Sequence, residues 1–89
     1  MNIVYDEKMR KSNLVKHGFD FVDAAIVFAG ITYTVEDRRF DYGEQRFVIL
    51  GLLQDKVVVI VHTEAGDEIR IISMRKALKH EEVIYFKNI

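Results

Sequence analysis

Apolar positions along this chain are first sparse and helically spaced, then alternating, then helical again. Asp6 is placed to cap a helix starting at Glu7, whose acid suits the positive end of the helix dipole. That helix runs through Lys8 to about Lys16 and stops at His17-Gly18, glycine being the usual residue just past a helix end. Leu14 shares its narrow apolar face with Met9, and the rest of the surface is basic. A second helix is predicted from about Phe21 to Phe28, because Phe21, Ala24, Ala25 and Phe28 follow the spacing of one buried stripe. Asp20 caps it and Gly30 ends it.

Four strands are predicted next. Ile31 to Glu36 is β-branched and aromatic, and the polar loop 37–44 follows it. Arg46 to Leu53 and Lys56 to Thr63 are apolar runs separated by Gln54-Asp55, a two-residue hairpin turn. Glu64 to Asp67 reads as the next turn and Glu68 to Ser73 as the fourth strand. Ser73 then caps a last helix carrying Leu78, Val83, Ile84 and Phe86, so that Arg75 and Lys76 fall at its N-terminus. Helix N-termini carry unpaired N–H donors and partial positive charge, so two cations there would make an anion cradle.

The hairpins also predict a register. With Gln54-Asp55 as the turn, Leu53 opposes Lys56 and Arg46 opposes Thr63. If Thr63 opposes Glu68 across the following turn, Arg46, Thr63 and Glu68 form a cross-strand row, with Arg70 two residues along. Val48, Leu50, Val57, Val59 and Val61 share that face, leaving the polar cluster at one end of an apolar surface. His62 falls on the other face, among Phe47, Ile49 and Ile60.

Composition narrows the class. Eighty-nine residues, 49% hydrophobic and 30% charged, make one small domain over 1–89. With no cysteine, thiol catalysis and cysteine zinc sites are excluded, and a reducing cytoplasm fits. No apolar run is long enough to span a membrane, and the N-terminus lacks the pattern of a signal peptide. The net charge of −1 conceals a segregation: residues 8–17 and 69–80 each carry four cations and no acid, while the rest holds five cations against fourteen acids.

Candidate chemistry follows from those two basic segments. His17, His62 and His80 have no metal-ligand spacing, and the five glycines form no phosphate loop or dinucleotide fingerprint, so no metal and no cofactor are expected. Cleaving RNA without a metal requires deprotonating a 2′-hydroxyl, stabilising charge on the phosphate and protonating the 5′-oxygen. Arg46, Arg70, Arg75, Lys76, Lys16 and His17 contain the side-chain types for that work. Taken singly, each reads as a surface charge; together, in acid-free segments, they raise RNA as a partner. Glu36 to Arg39 reads as a strand-end loop with internal ion pairs of small energetic weight.

Several stretches also resemble the BrnT toxins of bacterial type II toxin–antitoxin systems. They are Tyr5-Asp6-Glu7-Lys8, where the family commonly has tryptophan before the aspartate, Asn13 to Gly18, Phe21 to Ala25 with Phe28, and Glu36 to Arg46. Gly51-Leu52, Thr63-Glu64 and Arg70 to Ala77 complete the likeness over nearly the whole length. The resemblance implies an α+β, RelE-like ribonuclease toxin fold: two N-terminal helices, a four-stranded mostly antiparallel sheet and a C-terminal helix. It implies a metal-independent endoribonuclease that inhibits translation. It also implies neutralisation by a BrnA-like antitoxin with a ribbon-helix-helix domain, operator DNA being reached only through that antitoxin.

On this reading Arg70 and Arg75 hold the scissile phosphate, and His17 or Glu64 moves protons. Lys16, Arg46, Lys76 and Lys79 bind RNA around them. Two readings of other classes stand beside it: a non-catalytic regulatory partner that binds an antitoxin through its sheet, and a small RNA-binding module without turnover.

Overall fold

A computed structural model describes every residue except Phe40 and Tyr42. Its elements are β1 (Asn2–Val4), α1 (Glu7–His17), a short 3-10 turn (Phe21–Asp23), α2 (Ala24–Ala29) and β2 (Thr32–Asp37). Next come β3 (Arg46–Leu53), β4 (Lys56–Ala65), β5 (Glu68–Lys76) and α3 (Lys79–Lys87). The strands form one five-stranded sheet in the order β1-β5-β4-β3-β2, antiparallel except where β1 runs parallel to β5. The architecture is α+β, with five strands in place of the expected four. The additional strand, Asn-Ile-Val, is too short to show alternation and exists through its pairing with Glu68, Ile69 and Arg70.

The first helix forms as its caps dictate. Asp6 accepts the Met9 N–H at 3.0 Å, and Gly18 closes the helix in the left-handed conformation with φ of 77°. Its one buried residue is Asn13, which does the work of a strand. β1 covers only the first part of β5, so the outer edge of β5 beyond Arg70 is open to pairing. The Asn13 amide donates to the Met74 carbonyl at 2.9 Å and accepts the Met74 N–H at 3.1 Å, as a neighbouring peptide group would. A further bond to the Phe19 carbonyl anchors the end of α1.

The second helix is shorter and is entered through the 3-10 turn, capped by Asp20. Three residues per turn at its start bring Phe21, Ala24 and Val27 into one buried line, so Val27 takes the inward position expected of Ala25, which is exposed. Gly51 on β3 makes room for it: a Cβ there would lie 2.6 Å from Val27 Cγ1.

Two cores result. Under α1 and α2, Phe21, Ala24 and Val27 pack on Ile49, Val58, Ile60, Ile69, Ile71 and Met74. On the other face, Tyr85 of α3 packs with Leu50, Val57, Val59 and Ala77, and its hydroxyl donates to the Ile31 carbonyl at 2.7 Å. Tyr85, not the apolar set expected, anchors α3: Leu78, Val83, Ile84 and Phe86 are exposed. The loop expected over 37–44 includes Phe40 and Tyr42, outside the described residues.

The β3–β4 register is the one the turn predicted, with Leu53 opposite Lys56 and Arg46 opposite Thr63. Gln54 takes a φ of 59° to make that turn. The second hairpin is tighter than expected. Its turn is Gly66-Asp67, β4 continues to Ala65, and Ala65 rather than Thr63 opposes Glu68. Thr63 therefore opposes Arg70. A shift of two residues changes partners but keeps every side chain on its face.

The strand that follows departs further from expectation. It does not end at Ser73 but continues to Lys76, and Leu78 occupies the position before α3. Arg75 and Lys76 are thus strand residues and form no helix-terminal cradle. Between His62–Ile71 and Val61–Ser73 the ladder slips by one, leaving Ile72 as a bulge. That extra residue reverses the alternation. Ile71 and Met74, three apart, both enter the α1/α2 core, and Arg70 and Arg75, five apart, come to one face.

Candidate functional site

Register builds a polar row across the sheet at one end of the α3 face. Asp37 opposes Arg46, Arg46 opposes Thr63, and Thr63 opposes Arg70. Alternation keeps Val48, Leu50, Val57, Val59 and Val61 on the same face, as expected, with Tyr85 covering the far end. Arg75 stands on that face opposite Val59, four positions along β4 from Thr63. At ~3.3 Å per residue the rows of Arg70 and Arg75 are separated by about 13 Å.

Each cation has an acidic companion. Arg70 lies 3.5 Å from Glu68, and Arg46 lies 3.5 Å from Glu44. Arg75 forms a two-bond fork with Glu81 of α3, at 2.8 and 2.9 Å. That carboxylate raises Arg75 further above its ordinary value, against the opposing effects of burial and of nearby Arg39. Arg39 in turn makes a fork with Asp37, at 2.9 and 3.1 Å. The Asp37 side chain is only 3% exposed, so this pair is no ordinary surface contact. Burying a carboxylate is costly unless it is bonded, and Arg39 supplies those bonds.

Arg46 and Arg70 line one cavity of about 220 Å³ with Asp6, Met9, Glu44, Ile71 and the bulged Ile72. Lys16 and His17 line an adjoining cleft of about 200 Å³ at the outer edge of β5, bounded by Met9, Ile72 and Ser73. The bulge is where the two meet. Four of the residues singled out in the sequence, Arg46, Arg70, Lys16 and His17, thus border two neighbouring clefts, and Arg75 lies farther along the same face. The other three stand apart. Glu64 is on the α1/α2 face, 3.3 Å from His62 Nε2. Alternation turns Lys76 away from Arg75, and Lys79 is exposed at the start of α3.

Arg39 and Glu81 belong to the site but were not singled out. Their signals were weak: Glu81 lies six residues from Arg75, across a strand end and a helix start, and Arg39 reaches the face only through β2. His62 is buried beneath Phe28 and Phe47, with ring centroids at 5.2 and 5.7 Å. Burial lowers its pKa from the ordinary 6.5, against the pull of Glu64. Among the described residues, no three metal-ligating side chains converge, and no helix is long and apolar enough to cross a membrane.

Fold and charge together define a small α+β protein with one sheet face open at an arginine-lined end. The family model for the ribonuclease toxin BrnT of type II toxin–antitoxin systems matches residues 5–81, and the chain belongs to that family. Family membership carries ribonuclease toxin activity and an antitoxin partner as general properties. No curated protein matches the chain.

Proposed function

We propose that this protein is a metal-independent endoribonuclease that inhibits translation by cutting RNA on the arginine-bearing face. The observation that carries the reading is the bulge at Ile72, which sets Arg70 and Arg75 on one face with Arg46 between β2 and β4. Rows about 13 Å apart suit an RNA strand laid across the sheet, with different phosphates meeting Arg70 and Arg75. Arg46 and Arg70 stabilise charge at the scissile phosphate, while Arg75 and Lys16 hold the strand.

Of the two proton-transfer candidates, His17 fits better, since its cleft adjoins the Arg46–Arg70 cavity and Glu64 faces the other way. The 2′-oxygen gives up its proton and attacks phosphorus, and the 5′-oxygen leaves with a proton. Lys76 and Lys79 are left to peripheral contact with the strand. The antitoxin is of the BrnA type, with a ribbon-helix-helix domain through which operator DNA is bound. An apolar cleft between β2–β3 and α3, lined by Tyr33, Val35, Val48, Leu50 and Ile84, offers such a partner a surface beside Arg75. The fold reading that accompanies this function is RelE-like.

Incubating the folded protein with RNA, with and without EDTA, tests the reading. Cleavage in both arms is expected, and Arg70→Ala lowers it by about 10²-fold, the usual loss of one charge-stabilising donor. Intact RNA in both arms, from protein shown to be folded, overturns the enzymatic reading.

A further inference from the structure

Glu81 touches the proposed RNA-binding machinery without a part in it. It stands in the first turn of α3, where a carboxylate complements the helix dipole, and accepts the Leu78 N–H at 2.8 Å. The same carboxylate meets Arg75 end-on, Nη1 donating to Oε1 and Nη2 to Oε2. Nη1 also donates to the Lys76 carbonyl at 3.3 Å.

A guanidinium has five N–H donors in a rigid plane. Three of them are occupied by these bonds. The two that remain, Nε–H and the second Nη2–H, lie along one edge and point the same way, which is the geometry that two phosphate oxygens accept. Among the described residues, no hydrogen bond uses that edge. The Arg75 side chain is 34% exposed and that of Glu81 16%, so the arginine is the more accessible partner of the pair.

We propose that Glu81 is a positioning residue for RNA cleavage: it clamps the end of the Arg75 guanidinium so that the Nε–Nη2 edge is presented to a phosphate of the bound strand. This inference rests on the reading of Arg75 as a phosphate-binding side chain. Charge supports the clamp, because each partner holds the other in its ionised form. Arg39 acts on the Arg75 charge with the opposite sign, an effect that the Glu81 carboxylate outweighs. Ordering a flexible side chain before substrate arrives lowers the entropy lost in reaching the reactive complex. The cost is affinity, since Glu81 partly neutralises the cation that RNA meets.

Those two effects have opposite signatures. Glu81→Gln keeps an acceptor for the Leu78 N–H but puts an amide N–H where Arg75 needs a second acceptor. With a fluorophore-labelled RNA oligonucleotide that the wild type cleaves, Glu81→Gln is expected to lower kcat about tenfold with KM unchanged or reduced. Glu81→Asp should restore at least part of that loss. Circular dichroism and thermal unfolding give the folded fraction of each variant, and Arg75→Ala serves as the control for the underlying reading. A lowered kcat/KM in Arg75→Ala beside a Glu81→Gln variant with wild-type kcat overturns the clamp and leaves the reading of Arg75 intact. A kcat loss that disappears when divided by folded fraction makes Glu81 structural only and also overturns the clamp. Wild-type cleavage by Arg75→Ala removes the reading and the inference with it.

Discussion

The face of the sheet under α1 and α2 is covered by Phe21, Ala24 and Val27, which pack on Ile49, Val58, Ile60, Ile69, Ile71 and Met74, and its one buried histidine sits under aromatic rings. Among the described residues, the face under α3 is covered where Tyr85 packs on Leu50, Val57 and Val59, and its other end carries Arg46, Thr63 and Arg70. The same strands supply both. Alternation sends every second side chain to each face, so what distinguishes the faces is the helix above them and the bulge that resets the alternation in β5. The comparison teaches that an arginine-bearing surface on an acidic protein needs no excess of cations, since each arginine there stands beside an acid. It needs cations of neighbouring strands to share a face, with Tyr85 packing at the end away from Arg46 and Arg70.

Deleting Ile72 would break that arrangement most severely. Without the bulge, Met74 and Arg75 exchange faces, and one enters the wrong environment. A loss of about 3–5 kcal/mol is expected, the scale for removing a fully buried large side chain, read by urea denaturation. An unchanged midpoint would show that the bulge does not set the faces. Asn13→Ala should rank next. It strips partners from the Met74 N–H and carbonyl and from the Phe19 carbonyl, costing about 2–4 kcal/mol in the same assay. An effect no larger than that of an exposed neighbour such as Ser12→Ala would mean that water replaces the amide at that edge.

A smaller effect comes from pH. His62 is harder to protonate folded than unfolded, so the unfolded chain binds the extra proton as pH falls through the ordinary value of 6.5. Its contribution to stability is complete above that pH and declines below it. His62→Phe should flatten this slope in thermal melts taken between about pH 7 and 5; a slope equal to that of the wild type would assign it to other groups. Glu64→Gln should change least. Because Glu64 lies on the face opposite Arg46 and Arg70, RNA cleavage by this variant is expected to stay within about twofold of wild type, whereas His17→Ala loses about 10²-fold, the usual contribution of a general acid or base. Equal losses in the two would erase the functional contrast between the faces.

Much of this molecule was legible in the chain where the signals are local. Asp6 and Gly18 bound α1 as caps should, and Gln54-Asp55 set the β3–β4 register and with it the opposition of Arg46 to Thr63. The two acid-free segments fall on α1 and β5, elements that border the clefts. Reading failed where partners are distant. Serine before two cations resembles a helix start, yet Ser73 to Lys76 pair with β4 instead. Arg39 and Glu81 reach Arg75 only after β2 and α3 are in place.

Caps, turns and alternation act over a few residues, so the order of the helices and of the four antiparallel strands, the first hairpin and the segregation of charge were determined by sequence alone. The parallel pairing of β1, the bulge at Ile72, the Asn13 bridge to Met74 and the fork between Arg75 and Glu81 were decided by tertiary structure. Each satisfies a group on one element with a group on another. A strand edge left half-covered, a core position claiming Met74 and a cation beside a helix start arise only when those elements meet.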